Sequence, residues 1–287
     1  MTRGNEMKKK VLLIGGNSLV GQAIAAGLGD SYQIISTAGH HAPENGHQLM
    51  IEEPDKLVKI LADENPEIVI SSIRGNYPSQ MRFHQTLADW LARERKRFLY
   101  ISTANVFDGN LSRPWTEHDQ PMPESDYGIF KRDCEAMLES ILADQLIIFR
   151  LAAVWSADCP RVQQLKLHSQ NKEPYFTYPD YIINVTPAKQ IGNYAKYVLD
   201  NNLHGIFHVG TTDTISYFTF EKMVCEALNI QLPQFIAETD GKESYFAVLP
   251  TRTEIPDDLQ MTVSDIFQHI PPRLYRSCNT KQFTPSV

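Results

Sequence analysis

The chain has 287 residues, 42% of them apolar, and a formal net charge of −7. That length and apolar content are enough for a substantial core in one large or two smaller domains, and the acidic balance argues against a nucleic acid or a membrane surface as partner. The four cysteines, Cys134, Cys159, Cys225 and Cys278, make no CxxC or Cys/His metal spacing, and no apolar run approaches the ~20 residues of a membrane span; the setting expected is reducing and cytoplasmic.

Residues 1–7 read as a disordered lead-in, with Met7 an alternative start. Val11-Leu-Leu-Ile14 is a short apolar run stopping at Gly15-Gly16, the form of a buried parallel strand that opens into a turn, and Leu19 to Leu28 reads as a helix. Strands are expected at Gln33 to Ser36, Gln48 to Ile51, Glu67 to Ser72, Arg97 to Ser102 and Leu146 to Leu151, with helices at Asp55 to Asp63, Gln80 to Arg95 and Tyr127 to Leu142. Strands alternating with helices imply an α/β, doubly wound parallel sheet with right-handed crossovers. On the last helix Phe130, Cys134, Met137, Leu138 and Ile141 recur at helical spacing, so one stripe packs on the sheet with Lys131 beside it.

After residue 156 the rhythm fades. Pro174 to Pro187 is rich in Tyr and Pro and suits a short strand and loops, and Tyr175, Tyr178 and Tyr181 are read there as ordinary loop and strand residues in preference to a stack on a base or sugar. A helix near Pro187 to Asp200, a strand at Gly205 to Val209, a helix near Thr219 to Leu228 and a short helix at Ser264 to His269 follow. The expected division is a dinucleotide-binding domain over residues 8–156, to which 184–220 returns, and a smaller substrate lobe from 157–183 and 221–287.

Gly15, Ser18 and Gly21 occupy the three places of G-x-x-G-x-x-G, with Ser in the middle place. A turn between strand and helix lets the backbone of Gly15, Asn17, Ser18, Leu19, Val20 and Gly21 approach a pyrophosphate, to which the helix N-terminus offers N–H groups and partial positive charge; the competing reading is a tight turn that needs glycine for packing alone. The second strand ends in Ser36-Thr-Ala-Gly-His-His41, without the carboxylate that usually holds the ribose hydroxyls of NAD. Ser36, Thr37 or the histidines could take a 2′-phosphate, so NADP is expected, with NAD as the alternative; His40 and His41 read equally well as exposed loop residues. Ser71 and Ser72, closing the strand from Glu67, complete the candidate cofactor set.

Tyr127 and Lys131 stand four apart on one helix face. An ammonium beside a phenol favours the phenolate, and a phenol pKa nearer neutrality is what a general acid or base needs. The spacing is common by chance, so its weight comes from Thr103, placed at the end of the fifth strand where ligands of such sheets bind.

The ordered set of glycine turn, Thr103, Tyr127 and Lys131 resembles the extended short-chain dehydrogenase/reductase family. Ser-Thr-Ala-Asn-Val-Phe-Asp-Gly109 is similar to the Ser-Thr-Asp-Tyr-Val-Phe-Asp-Gly signature of the dTDP-4-dehydrorhamnose reductases, and Leu146-Ile-Ile-Phe-Arg150-Leu-Ala-Ala-Val154 resembles their sixth strand. The likeness is good from Val11 to Val154, looser from Asn184 to Phe220 and faint beyond. It implies hydride transfer to a keto group of a nucleotide sugar, in which Thr103 polarises the keto oxygen, Tyr127 protonates it, and Lys131 tunes Tyr127 and holds the nicotinamide ribose. Ala104 and Asn105 depart from the signature, Ser18 replaces a glycine, and Met50 stands where an Asp usually meets the adenine. A sugar-nucleotide epimerase or dehydratase shares every motif, and an NADP-binding regulatory subunit without turnover is the rival from another class. The partner expected is a nucleotide sugar, with no nucleic acid and no membrane, and the assembly allowed is a homodimer.

Overall fold

The computed structural model describes residues 8–268. Strands β1 (Lys9–Ile14), β2 (Tyr32–Ala38), β3 (Gly46–Gln48), β4 (Ile68–Ser71), β5 (Arg97–Thr103) and β6 (Leu146–Leu151) alternate with helices α1 (Leu19–Leu28), α2 (Pro54–Glu64), α3 (Tyr77–Glu94) and α4 (Asp126–Leu142). The chain continues through β7 (Ala153–Trp155), α5 (Pro160–Asn171), β8 (Pro174–Thr177), β9 (Tyr181–Ile183), β10 (Val185–Pro187), α6 (Ala188–Asp200) and β11 (Gly205–Val209). It closes with β12 (Ile215–Ser216), α7 (Tyr217–Ala227), β13 (Gln234–Ala237), β14 (Ser244–Phe246) and α8 (Val263–Gln268).

Seven strands form one sheet in the order β11-β6-β5-β4-β1-β2-β3, parallel throughout. The six expected strands are joined by the returning strand at Gly205–Val209, paired with β6. Val11 to Ile14 are all buried because both sheet faces are covered. On one face Leu12, Val69, Phe98 and Ile148 meet Leu57, Phe83, Leu91 and Leu138 of α2, α3 and α4. On the other, Val11, Leu13, Ile70 and Phe149 meet Ile24, Leu28, Ile191 and Val198 of α1 and α6. The α4 stripe falls as its spacing predicts, with Phe130, Cys134 and Leu138 buried and Met137 and Ile141 packed against them. The strand order reverses between β1 and β4, and a crevice opens outside their carboxyl ends.

A smaller lobe has its own apolar cluster, built from Trp155, Val162, Leu165, Ile183, Phe220, Val224 and Val263. There β9 pairs antiparallel with β12 and parallel with β14, and β8 pairs with β13.

Three local expectations are corrected. Helix α5 stands where a helix was not expected; Cys159 is its N-cap, Pro160 opens it, and Val162 and Leu165 supply its buried face. The third strand is Gly46–Gln48, earlier than Gln48 to Ile51, because the apolar Leu49 is buried just past the strand while its N–H still reaches the Ala38 carbonyl at 2.9 Å. Helix α3 starts at Tyr77, since the Asn76 side chain accepts the Ser79 N–H at 3.1 Å and caps it. The lead-in at residues 1–7, His269 and Cys278 lie outside the described residues. Cys134, Cys159 and Cys225 are buried free thiols, and among the described residues no His/Cys/Asp/Glu group could hold a metal and no helix is long and apolar enough to cross a membrane.

Candidate active site

The glycine turn is shaped by close approach. Gly15 has a φ of +86°, a Cβ on it would stand 3.0 Å from the Ser72 carbonyl oxygen, and one on Gly21 would stand 2.4 Å from the Gly15 oxygen. Ser18 takes the middle place because it caps α1: its hydroxyl accepts the Gly21 N–H at 2.9 Å and donates to the Gly15 carbonyl at 2.9 Å. Leu19 and Val20 follow as the first helical residues, whose N–H groups have no partner within the helix.

A cavity of about 710 Å³ lies against this turn, lined by Ser18, Leu19, Val20, Ser72, Thr103, Tyr127 and Lys131 among others. The structure thus brings together four of the sequence-derived cofactor candidates and all three catalytic candidates. Gly15 and Gly21 shape the turn, Asn17 is exposed on it, and the Ser36 hydroxyl sits against Gly16. Thr37 and Ser71 do not line the cavity. Thr37 is buried and its carbonyl accepts the Gly15 and Gly16 N–H groups at 3.1 and 3.0 Å, whereas the buried Ser71 hydroxyl is 2.9 Å from His84 Nε2. Met50 is exposed, its sulfur beside Gly39 just past the end of β2.

At the end of β5, Thr103 donates to the Asn105 side-chain oxygen at 2.9 Å, and Asn105 Nδ2 donates to Asp108 at 3.3 Å. Asp108 in turn accepts the N–H groups of Glu124 and Ser125 at 2.7 and 3.1 Å and the Ser125 hydroxyl. Ser125 caps α4 by accepting the Gly128 N–H at 3.0 Å. Asn105, a departure from the reductase signature, therefore ties Thr103 to the start of the helix that carries Tyr127. A Cβ on Gly128 would stand 2.3 Å from the Asn105 carbonyl oxygen, so that helix lies directly on the turn. Farther along α4, the buried pair of Glu135 and Arg150, 2.7 Å apart, with the Ser102 hydroxyl also on Glu135, fixes the helix to β5 and β6.

The Lys131 ammonium donates to the Ile101 carbonyl at 2.8 Å and to the Tyr100 hydroxyl at 3.1 Å, and lies 5.9 Å from the centre of the Tyr127 ring. Burial holds its pKa down to about 8. The Tyr127 phenol moves opposite to the sequence expectation: burial raises its pKa, outweighing Arg74 and a hydrogen bond with Thr103. Lys131 does not lower it because its ammonium is turned to Tyr100 and Ile101. A phenol so held stays protonated through neutrality and can give up a proton to a developing alkoxide.

Sequence reasoning missed the two arginines of the cavity wall. Arg74 follows β4 and acts electrostatically on Tyr127 and Lys131. Arg161, in the first turn of α5, lies 5.8 Å from the Tyr217 ring centre. Tyr178 and Tyr181 also line the cavity, with Phe246 stacked on Tyr181 at 5.8 Å, while Tyr175 is drawn away to Glu221 at 2.9 Å. The residues lining the cavity include three cations, Arg74, Lys131 and Arg161, and no carboxylate. In an acidic chain, such a wall is a site for anions.

The sheet order, with a Tyr–Lys helix set beside its switch point, is that of the extended short-chain dehydrogenase/reductase type. Within that class, the chain belongs to the RmlD substrate binding domain family, which matches residues 8–261. It is 23% identical over 246 residues, covering 75% of this chain and 78% of the relative, to the probable low-salt glycan biosynthesis reductase Agl14 of Haloferax volcanii. It is 27% identical over 160 residues, 52% of this chain and 51% of the relative, to the dTDP-4-dehydrorhamnose reductase of Burkholderia thailandensis. Among solved structures, the dTDP-4-dehydrorhamnose reductase of Bacillus anthracis in complex with NADP has a TM-score of 0.78 at 18% identity, covering 92% of this chain and 99% of that one. The UDP-N-acetylglucosamine 4-epimerase of Bacillus cereus has a TM-score of 0.73 at 17% identity, again with 92% and 99% covered. At these identities the solved structures establish the fold.

Proposed function

We propose that the protein is an NADP-dependent reductase that transfers hydride to a keto group of a nucleotide-activated sugar. The observation that carries this reading is the single cavity in which the N-terminus of α1, Thr103, Tyr127 and Lys131 meet under a wall of cations. Reductases named in the comparisons support it, as does the NADP in the Bacillus anthracis structure. The residues present fit a dinucleotide: a side chain at Gly21 would fill the turn, the first N–H groups of α1 lack helical partners, and no carboxylate stands between Ser36 and Ala42 to repel a 2′-phosphate. Leu19, Val20 and Ser72 would border the pyrophosphate, and Ser36 the adenosine ribose.

NADPH supplies the hydride when bound. Thr103 orients the substrate keto oxygen by a hydrogen bond, Tyr127 gives it a proton, and the Lys131 ammonium holds the nicotinamide ribose, while Arg74 favours the phenolate left behind. Arg161, with Tyr178, Tyr181 and Tyr217 around it, takes the anionic nucleotide portion. In this reading residues 8–156 with 184–209 form the dinucleotide domain; the boundary expected at 220 moves because Ile215, Tyr217 and Phe220 pack in the lobe's own cluster, so 157–183 and 215–268 form the substrate lobe.

The test is loss of NADPH absorbance with a panel of nucleotide-activated 4-keto sugars. Turnover with at least one supports the reading. Tight NADPH binding with no sugar reduced removes it in favour of a binding subunit.

A further inference from the structure

We propose that Tyr100 is a positioning residue for Lys131: its hydroxyl and the neighbouring Ile101 carbonyl take two of the three ammonium N–H bonds and leave the third for a ligand in the cavity. The inference rests on the reading above, in which Lys131 serves the cofactor.

Both acceptors sit on adjacent residues of β5, at 3.1 and 2.8 Å from Nζ, so one rigid strand sets the height of the ammonium above the sheet. The ammonium also stands 4.5 Å from the Tyr100 ring centre, so the ring face and the hydroxyl act on the same charge. A lysine stem has several rotatable bonds, and without these partners its charge would be free to move.

Tyr100 is in turn fixed from behind. It is buried, its ring meets the His84 ring edge-on at 5.0 Å, and its hydroxyl lies within electrostatic reach of Cys134. The Cys134 sulfur lies 3.8 Å from Met81 Sδ and 4.0 Å from His84 Nδ1, and His84 Nε2 closes the chain on Ser71 at 2.9 Å. The Tyr100 oxygen accepts from Lys131, so its own proton must point elsewhere, and the Cys134 sulfur is the acceptor we assign to it. Burial holds His84 neutral and pushes the Tyr100 phenol up, so neither ionises at working pH. The chain ends in the core, which makes it a brace and not a proton path. It also accounts for Ser71, a cofactor candidate in the sequence that instead anchors the far end of this brace.

The groups that act on the Lys131 charge come from several elements. Cys134 and Glu135 on α4 favour it, Arg74 after β4 opposes it, and His84 on α3 and Tyr127 on α4 lie close by.

The test follows the Lys131 titration directly, by carbon NMR of protein carrying labelled lysine Cε, with Lys131→Met assigning the signal. Tyr100→Phe removes an acceptor that favours the ammonium, so its midpoint is expected to fall by about one unit, a tenfold loss of proton affinity. The alkaline limb of NADPH affinity, read by fluorescence, is expected to move with it. Cys134→Ser gives the phenol a stronger acceptor, makes its oxygen a better partner for Lys131, and is expected to move the midpoint upward. A Tyr100→Phe protein that titrates like wild type overturns the proposal. If circular dichroism shows that variant unfolded, Cys134→Ser carries the test, and an unmoved midpoint overturns it. The lysine titration needs no substrate, so a protein that reduces no sugar defeats the reductase reading and leaves this result standing or falling by itself.

Discussion

The sheet half and the smaller lobe contribute to one cavity in different ways. In the sheet, each site element sits at the end of a local strand-to-helix unit: the glycine turn joins β1 to α1, and Thr103 leads through Asn105 and Asp108 to the cap of α4. In the lobe, Arg161, Tyr181, Tyr217 and Phe246 reach the cavity from four separated segments, held by pairings such as Tyr181 with Ser244 and Pro174 with Gln234. Local units place reacting groups with little dependence on the rest of the chain. The lobe wall exists only once its distant segments have met.

The largest effect expected from this contrast falls on the chemistry alone. Tyr127→Phe is expected to lower turnover by about 10²- to 10⁴-fold with little change in NADPH affinity; steady-state kinetics beside a fluorescence titration will show whether the two separate, and unchanged turnover removes Tyr127 from the mechanism. Glu135→Ala leaves Arg150 as an uncompensated buried charge and is expected to cost about 3–5 kcal/mol in urea unfolding. A loss near zero would mean that α4 is held without that pair.

Arg161→Ala addresses the lobe. Loss of a charged hydrogen bond worth roughly 1.5–3 kcal/mol should raise KM for the nucleotide sugar by about 10- to 100-fold while NADPH affinity stays put. If NADPH binding weakens equally, Arg161 belongs to the cofactor end and the division between the halves is misplaced.

A pH effect belongs to the sheet half alone. His84 lies on α3 and His208 on β11 donates to the Leu249 carbonyl at 3.1 Å; burial first, with Lys131 and Arg150 respectively adding to it, lowers each pKa to about 3. Between the ordinary value of 6.5 and that folded value, the unfolded chain binds more protons, so stability is lost as pH falls through this window. The slope should approach ~1.4 kcal/mol per pH unit for each histidine. Urea midpoints measured from pH 7 to pH 4 give that slope, and His84→Gln should reduce it by about half. The smallest effect is Ser18→Ala, about 1 kcal/mol for a lost helix cap, visible as a small drop in thermal midpoint with α1 still folded.

Much of the sheet half was legible. The strand positions, the α4 stripe, and the candidates Thr103, Tyr127 and Lys131 could be read because each depends on periodicity or on a motif a few residues long. Ser71 and Thr37 fall outside the cavity lining although both stand at or next to the end of strands of the right kind, because the direction of a side chain there depends on what packs behind it, here His84 for Ser71. Helix α5 was missed although Pro160 at its first position, with Val162 and Leu165 behind it, was a usable signal. Arg74 and Arg161 had no signal of their own, since an arginine in a loop and one opening a helix read as solvated charge.

By itself the sequence determined that a parallel sheet would form, where its first glycine turn would fall, and which hydroxyl, phenol and ammonium would stand beside it, because these follow from local spacing and burial. The tertiary structure decided how those groups are charged and held. It turned Lys131 to Tyr100 and Ile101, raised the Tyr127 phenol by burial, and brought Arg74 and Arg161 to one cavity. Such properties depend on desolvation and on neighbours distant in the chain, and neither exists until the chain has folded.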